Sequence, residues 1–542
     1  MVTIPKRLRW EALTAVVWCL VTLATDRLFF RYDWRTPAFF VYKILFVLAA
    51  FAVVHGLVTL VDKVRRRDAF ILCWLRWMLP YLAVTLVVLL IVWPGCWGSD
   101  DLDVLYKART LTPAPWQSFL TSAVFILCLM FLPLPGGLVL IQTLLIAGVV
   151  GFFLAAAQTL AAQRLRRPVA AGWFAILYLP FLLPPVVLHD MQPFRTTWAT
   201  WTELFTVALL VWWHARGEQI TRGKLAWFTL LGFLTAAWRS ESIYYLVALP
   251  VLLAFLVHKK AVRPVGAVVS SVVIVAATLV STAYNNRLMG DAWTYQNVAL
   301  CYQAAALVQD ADPVEDAEEL AMIDPVYDVQ ACRENSNLHG PELRTLVTRS
   351  IYTVTEQQWS DCKKAIVRLA LKYPSSLLRE RMGMFLNTVE QQETNSNQKL
   401  VFASTVLVYS DDPDGMGEAQ KDFLNDSVAV YPINQTLRED FIMSLSYRTE
   451  FLFGIPAATW LMLPSFGLFA AALVVLLVRR RWMWFFAAGA IFARIPLVFL
   501  TTPDTYFMYY LTPYIAGYAL TAAGIVYAVL CWKKKQERGK AQ

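Results

Sequence analysis

The chain has 542 residues, of which 58% are hydrophobic and only 16% charged, with a mean hydropathy of +0.50 and a net charge of +9. That balance fits a polytopic membrane protein and no soluble class, and with no Gly-rich, Gln-rich or repeated segment a solenoid or array is not indicated. Residues 284–450 carry 25 acidic and 14 basic side chains, a net −11, so the rest carries +20. The positive charge is therefore an orientation signal, and no nucleic-acid partner is expected.

The N-terminal MVTIPKRLRW is basic, runs into an apolar stretch and lacks a small-x-small cleavage site, so it reads as a retained first helix. About 20 apolar residues cross a bilayer as helix. Twelve stretches are candidates: roughly 10–30, 38–61, 72–93, 137–160, 169–189, 199–214, 224–238, 242–257, 264–283, 455–478, 482–501 and 511–531. Cytoplasmic loops are enriched in Lys and Arg. With the N-terminus inside, KVRRR (63–67), RLRR (164–167), RGEQITRGK (216–224), HKKAVR (258–263), RRR (479–481) and KKKQERGK (533–540) all fall inside, and both termini are cytoplasmic.

Residues 116–133, WQSFLTSAVFILCLMFLP, are apolar enough to be a further span. A crossing there would invert every later basic loop. The segment therefore reads as a helix lying on or dipping into the outer leaflet, ended by PLPGG (133–137). Three units follow: a transmembrane module (1–283) with a first outer loop at 94–136, an acidic extracytoplasmic domain (284–450), and the C-terminal transmembrane helices (451–542). The spacing of apolar residues over 341–385 predicts a mostly helical outer domain, with 405–409 as the best candidate for a short strand. Of eight cysteines, Cys19, Cys73, Cys128 and Cys531 read as packing residues. Cys96, Cys301, Cys332 and Cys362 face outside, where a bridge such as Cys301–Cys332 can form, although spacing does not determine pairing. No CxxC or HxxxH metal spacing occurs.

In this topology the unusual polar residues gather on the outer side. WPGCWGSDDLDVLYKA (93–108) supplies Asp100, Asp101 and Asp103. HDMQPFRTTWATWTELF (189–205) supplies His189, Asp190, Gln192, Arg195 and Glu203, and WRSES (238–242) supplies Arg239 and Glu241. TTPDTYFMYY (501–510) supplies Asp504 and Tyr510, with Arg494 one to two turns below. Singly, each has an ordinary reading: a solvated loop acid, a snorkelling arginine, an interfacial tyrosine. Ionisable groups at membrane depth are costly, so their convergence on one face marks a site. A carboxylate beside a lipid groove can take a proton from an acceptor hydroxyl. Arginines can hold a phosphate through bidentate bonds.

A first outer loop with an Asp, then a helix along the membrane after a Pro-containing turn (TPAPWQSFL, 112–120), then many spans, resembles the GT-C superfamily of polytopic glycosyltransferases. PGCWGSD (94–100) is similar to the "PG, four residues, Asp" element of an uncharacterised bacterial group of GT-C-like membrane proteins. WTELF (201–205), WRSE (238–241) and LCYQAAALVQDADPVEDAEELAMI (300–323) resemble that group loosely. There are departures: Glu203 stands for an Asp, Ser240 for an Asn, and Met508 for an Arg in YFMYYLTPY (506–514).

The resemblance implies an all-α, GT-C-like protein in a bacterial cytoplasmic membrane. Asp100 is the implied general base, with Asp101 the near alternative, and Arg239 is the implied donor-phosphate contact. Arg195 or Arg494 stands in for the missing arginine, and Glu241, Asp190, Gln192, Glu203, Asp504 and Tyr510 lie around them. The implied donor is a polyprenyl-phosphate-linked sugar, and the acceptor a cell-envelope glycan, lipid or protein. Members of the superfamily differ in their use of a divalent metal, so that requirement stays open. The rival reading is a multi-pass transporter or lipid-linked-sugar flippase; no internal repeat supports it.

Overall fold

The computed structural model describes residues 5–115, 117–289, 296–335, 343, 346–349, 354–390, 432–445, 455–502 and 506–540. All regular elements among them are helices, and the one strand-like pairing is an isolated antiparallel bridge between Tyr327 and Thr348. The strand expected at 405–409 lies outside the described residues, as does Asp504.

The first three helices are α1 (Lys6–Thr25), α2 (Pro37–Arg65) and α3 (Ala69–Ile91). Two short ones follow, α4 (Ser99–Ala108) and α5 (Phe119–Phe131), and then the long α6 (Pro135–Leu165). A 3-10 segment (Ala171–Phe181) leads to α7 (Pro184–Asp190). Next come α8 (Arg195–Arg216), α9 (Arg222–Ala237), α10 (Tyr245–His258) and α11 (Pro264–Met289). The polar block holds α12 (Gln296–Asp310), α13 (Ala317–Ile323), α14 (Val329–Glu334), α15 (Glu356–Lys372), α16 (Pro374–Glu390) and α17 (Gln435–Leu445). The chain ends with α18 (Ile455–Trp460), α19 (Leu463–Val478), α20 (Trp482–Phe492), α21 (Arg494–Thr501) and α22 (Leu511–Lys540).

Among the described residues, eight helical stretches are long and apolar enough to cross a membrane: Lys6–Leu28, Pro37–Arg65, Ala69–Ile91, Pro135–Leu165, Ser240–His258, Pro264–Met289, Trp482–Thr501 and Phe507–Glu537. Their outward faces are aliphatic. On α11, Val265, Val268, Val272 and Val280 are all exposed, as suits contact with lipid tails. The other four expected spans differ from this pattern for definite reasons. Residues 169–189 form two pieces bent by 72° at Leu182–Leu183, ahead of Pro184. α8 carries Glu203 and five threonines and buries most of its surface inside the protein. α9 has only 16 residues. The helix expected at 455–478 is interrupted at Leu461–Met462, just before Pro464.

The segment 116–133 resolves into the 13 residues of α5, about 20 Å at 1.5 Å per residue, which is too short to cross. It does not lie open on a surface. Phe125 and Leu129 are fully buried, Phe125 packs edge-on to Trp97 at 6.2 Å, and Phe131 meets Trp18 at 5.2 Å and Phe46 at 4.6 Å.

Contacts between helix ends sort the loops. Arg7 pairs with Asp62 at 2.6 Å, the rings of Phe70 and Trp212 lie 4.8 Å apart, and Ile220 N donates to Ala261 O at 2.8 Å. Lys534 Nζ donates to Leu165 O at 2.8 Å. The basic stretches therefore share one end of the bundle, and the described residues of 93–115, 189–195, 238–242, 501–502 and 506–510 share the other.

The polar block has its own core, in which Cys301, Tyr327, Cys332, Trp359 and Leu369 are buried together. A Thr355–Gln358 capping box starts α15: Thr355 N donates to Gln358 Oε1 at 2.8 Å, and Gln358 N to Thr355 Oγ1 at 3.2 Å. All eight cysteines are free, so the Cys301–Cys332 bridge is not present; both thiols are packing groups here. Burial pushes the Cys332 and Cys362 thiols up to about 12, which leaves them inert as thiolates. α16 joins this block to the bundle, where Arg381 Nη1 donates to Thr502 O at 2.8 Å and Phe385 packs on Phe499 and Tyr510.

Candidate functional site

The site begins with the turn after α3. Gly95 has φ +108°, in the region that favours glycine, and a Cβ there would lie 2.7 Å from Val139 Cγ2. Gly136 gives way to the Trp93 ring, which fills the space a side chain would need. Two distant segments hold this turn by hydrogen bonds. Cys96 N donates to Met191 O at 2.8 Å, and Arg438, from α17, donates to Gly95 O at 2.9 Å and Val92 O at 3.3 Å. Arg438 is fully buried, and sequence reasoning missed it because nothing in LREDF ties it to a turn more than 300 residues earlier. Gly95→Ala is expected to destabilise the protein by about 1–3 kcal/mol through strain and overpacking. Thermal unfolding of the purified protein measures it, and unchanged stability would show that the turn tolerates a side chain.

The turn aims α4. Leu102, Val104, Leu105 and Ala108 are buried, while Asp103 and Lys107, one turn apart, are partly exposed and lie 3.8 Å from each other. Asp103 is thus a weakly paired surface acid. Asp101 is buried at the helix start. Its Oδ2 accepts from Gly98 N at 3.2 Å and from Gln192 Nε2 at 3.4 Å. Burial raises its pKa well above the usual carboxylate range, and the charge of Asp100 adds to the rise. Asp100 itself is only half-buried. Because the folded-state value of Asp101 is raised, its contribution to stability is full at low pH and lost as pH rises through that value. Asp101→Asn should flatten the fall in unfolding temperature as pH rises from the ordinary carboxylate range to that raised value; an unchanged slope would place the charge elsewhere.

Arg195, the first residue of α8, links the acids to the arginines. Its charge favours the Asp101 carboxylate and also reaches Arg239. Arg239 is buried, with Nε 2.5 Å from Glu241 Oε1, Nη1 bonded to Thr196 Oγ1, and its guanidinium 5.3 Å from the Tyr509 ring centre. Arg494 is fully buried and pairs with Glu203 at 2.5 Å, while also donating to Ser242 Oγ at 3.0 Å. Tyr245 OH donates to Glu203 Oε1 at 2.7 Å. The structure thus links Asp100, Asp101, Gln192, Arg195, Arg239, Glu241, Arg494 and Glu203 as one series of neighbouring polar and charged groups.

Some of the expected residues serve the scaffold. Asp190 accepts from Trp201 Nε1 at 2.7 Å on one oxygen and from Tyr81 OH at 3.2 Å on the other, so it ties α3 to α8. Glu203 is enclosed by Arg494, Tyr245 and Thr512. His189 is buried, its Nδ1 2.6 Å from Pro185 O. Tyr510 is buried, and its hydroxyl makes no hydrogen bond among the described residues. Tyr509, not singled out from the sequence, covers Arg239. Among the described residues no group of three or more His, Cys, Asp or Glu side chains is arranged to hold a metal ion.

The fold defines a helical, multi-pass membrane protein whose natural partner is the lipid bilayer. Comparison with protein-family models, with curated proteins and with solved structures finds no match to the chain.

Proposed function

We propose that the chain is a GT-C-type glycosyltransferase of a bacterial cytoplasmic membrane, moving a sugar from a polyprenyl phosphate to a cell-envelope acceptor on the outer face. In this reading it crosses twelve times: the eight long stretches, the bent pair before Asp190, α8 shielded by protein, and the two 16-residue helices α9 and α19. The positive loops lie inside and the acidic block outside.

The observation that carries the proposal is an acid pair on a short non-spanning helix, beside arginines buried at the same end of the bundle. Asp100 takes the proton of an acceptor hydroxyl. The hydroxyl oxygen attacks the anomeric carbon as the bond from that carbon to the lipid phosphate oxygen breaks, and the electron pair leaves with the phosphate. Arg195 offsets the charge that develops there, with Arg239 behind it. Single displacement inverts the anomeric centre. Asp101 holds the start of α4 in place through Gly98 and Gln192.

The protein purified in lipid nanodiscs is expected to retain a polyprenyl phosphate that mass spectrometry detects, and Arg195→Ala combined with Arg239→Ala should lower its occupancy at least tenfold. Equal retention by wild type and variant, or none in either despite added lipid phosphate, overturns the donor assignment.

A further inference from the structure

A second cationic feature lies apart from the series of polar and charged groups described above. The C-terminal end of α4 and the loop between α1 and α2 enclose a cleft of about 330 Å³ lined by Arg31, Tyr106, Lys107, Arg109, Thr110 and Thr112. Two hydrogen bonds lock its walls together: Arg31 N donates to Arg109 O at 2.7 Å, and Arg109 Nε donates to Phe29 O at 3.4 Å. Buried Phe29 and Phe30 anchor the loop from within. The Arg31 guanidinium turns back onto its own loop, where Nη1 donates to Arg27 O at 2.8 Å and Phe30 O at 2.9 Å. The hydroxyls of Thr110 and Thr112 lie 2.9 Å apart, and both reach Lys107 O. Three cations thus line one cleft, with Asp103 3.8 Å from Lys107.

Two further observations say what such a cleft can take. Its position is at the level where a span ends: the stretch Lys6–Leu28 stops three residues before Arg31, Leu28 is 70% exposed, and Trp34 is 62% exposed beneath the Arg35 guanidinium. Exposed Leu and Trp at a helix end mark the membrane–water boundary, where lipid phosphates lie. The cleft also stands at the end of the bundle opposite the basic loops, so its cations are not part of the orientation signal. Arginine forks with a neighbouring lysine and two hydroxyls match the oxygens of a phosphate.

We propose that this cleft is an anion site for a phosphate group at the membrane surface, separate from the acid pair at the other end of α4. The phosphate is that of an anionic lipid headgroup or of a phosphorylated molecule in solution. The site holds or presents its ligand beside α4 and does not depend on transferase chemistry.

The full chain tests this in nanodiscs made from equal parts of phosphatidylcholine and phosphatidylglycerol, with native mass spectrometry counting retained anionic lipid. A second arm titrates inorganic pyrophosphate against the protein in phosphatidylcholine nanodiscs and follows the unfolding temperature. Lys107→Gln leaves the backbone carbonyl that Thr110 and Thr112 use, and is expected to weaken binding about fivefold; Lys107→Glu is expected to weaken it about 30-fold. Arg35→Gln, outside the cleft, should leave binding unchanged. Selective loss of phosphatidylglycerol identifies a headgroup site, and selective loss of pyrophosphate identifies a soluble phosphate. Equal binding by wild type and Lys107→Glu, or an Arg35→Gln effect as large as that of Lys107→Gln, overturns the proposal.

Discussion

Asp100→Asn is expected to lower sugar transfer by about 10²–10⁴-fold, the range for losing a positioned general base. Asp101→Asn is expected to cost less than tenfold. Its pKa is raised by burial, and the amide resembles the protonated carboxyl in size while still accepting a hydrogen bond from Gly98 or Gln192. The contrast depends on the pair being divided in function: a buried member that keeps its proton, and a more accessible neighbour that acts as the carboxylate. The measurement is transfer from a polyprenyl-phosphate sugar by the purified protein, with the wild-type rate followed against pH. Because the base works when deprotonated, the rate should rise with pH to a plateau. Undiminished transfer by both variants would falsify the mechanism. A loss confined to Asp101→Asn would move the base one residue along.

Arg494→Met is expected to destabilise the folded protein by about 3–5 kcal/mol, because it leaves the Glu203 charge buried without its cation. Both side chains are only 1% exposed, and the neighbours of Glu203 are hydroxyls that cannot neutralise it. Arg494→Met combined with Glu203→Gln should recover most of that loss, since no charge remains buried. A double-mutant cycle on thermal or denaturant unfolding measures the coupling. If the single and double variants unfold alike, the pair is not the element that holds α8 to α21. The same cycle separates scaffold from substrate contact: a donor-binding Arg494 would show lost lipid-phosphate retention even in the double variant with restored stability.

Much of the bundle was legible because spans are simple objects: about 20 apolar residues bounded by basic or aromatic ends. Ala69–Ile91 and Pro264–Met289 follow directly from that pattern. The pattern loses its grip where a helix is enclosed by protein instead of lipid. α8 can afford Glu203 and its threonines because Arg494, Tyr245 and Thr235 answer them, and a hydropathy pattern cannot see those partners. The loops carrying Asp101, Arg195 and Arg239 could be grouped from topology alone. Which member of the group is bound to which could not, because Asp190 and Arg239 are alike in sequence terms: single charges beside a helix end. Only geometry shows that both oxygens of Asp190 are occupied by Tyr81 and Trp201. Arg438 lay beyond reach for a related reason. Its hydrogen bonds end on backbone carbonyls, and these leave no residue-type signature.

The Arg438 clamp also dates the site's completion during synthesis. The turn that aims α4 leaves the ribosome early, yet the guanidinium that satisfies its Gly95 carbonyl is translated 343 residues later. Until then the first helices can insert, but the Gly95 carbonyl lacks this donor. The growing chain therefore crosses the membrane several times, and builds most of the polar block, before this turn has all of its hydrogen-bond partners.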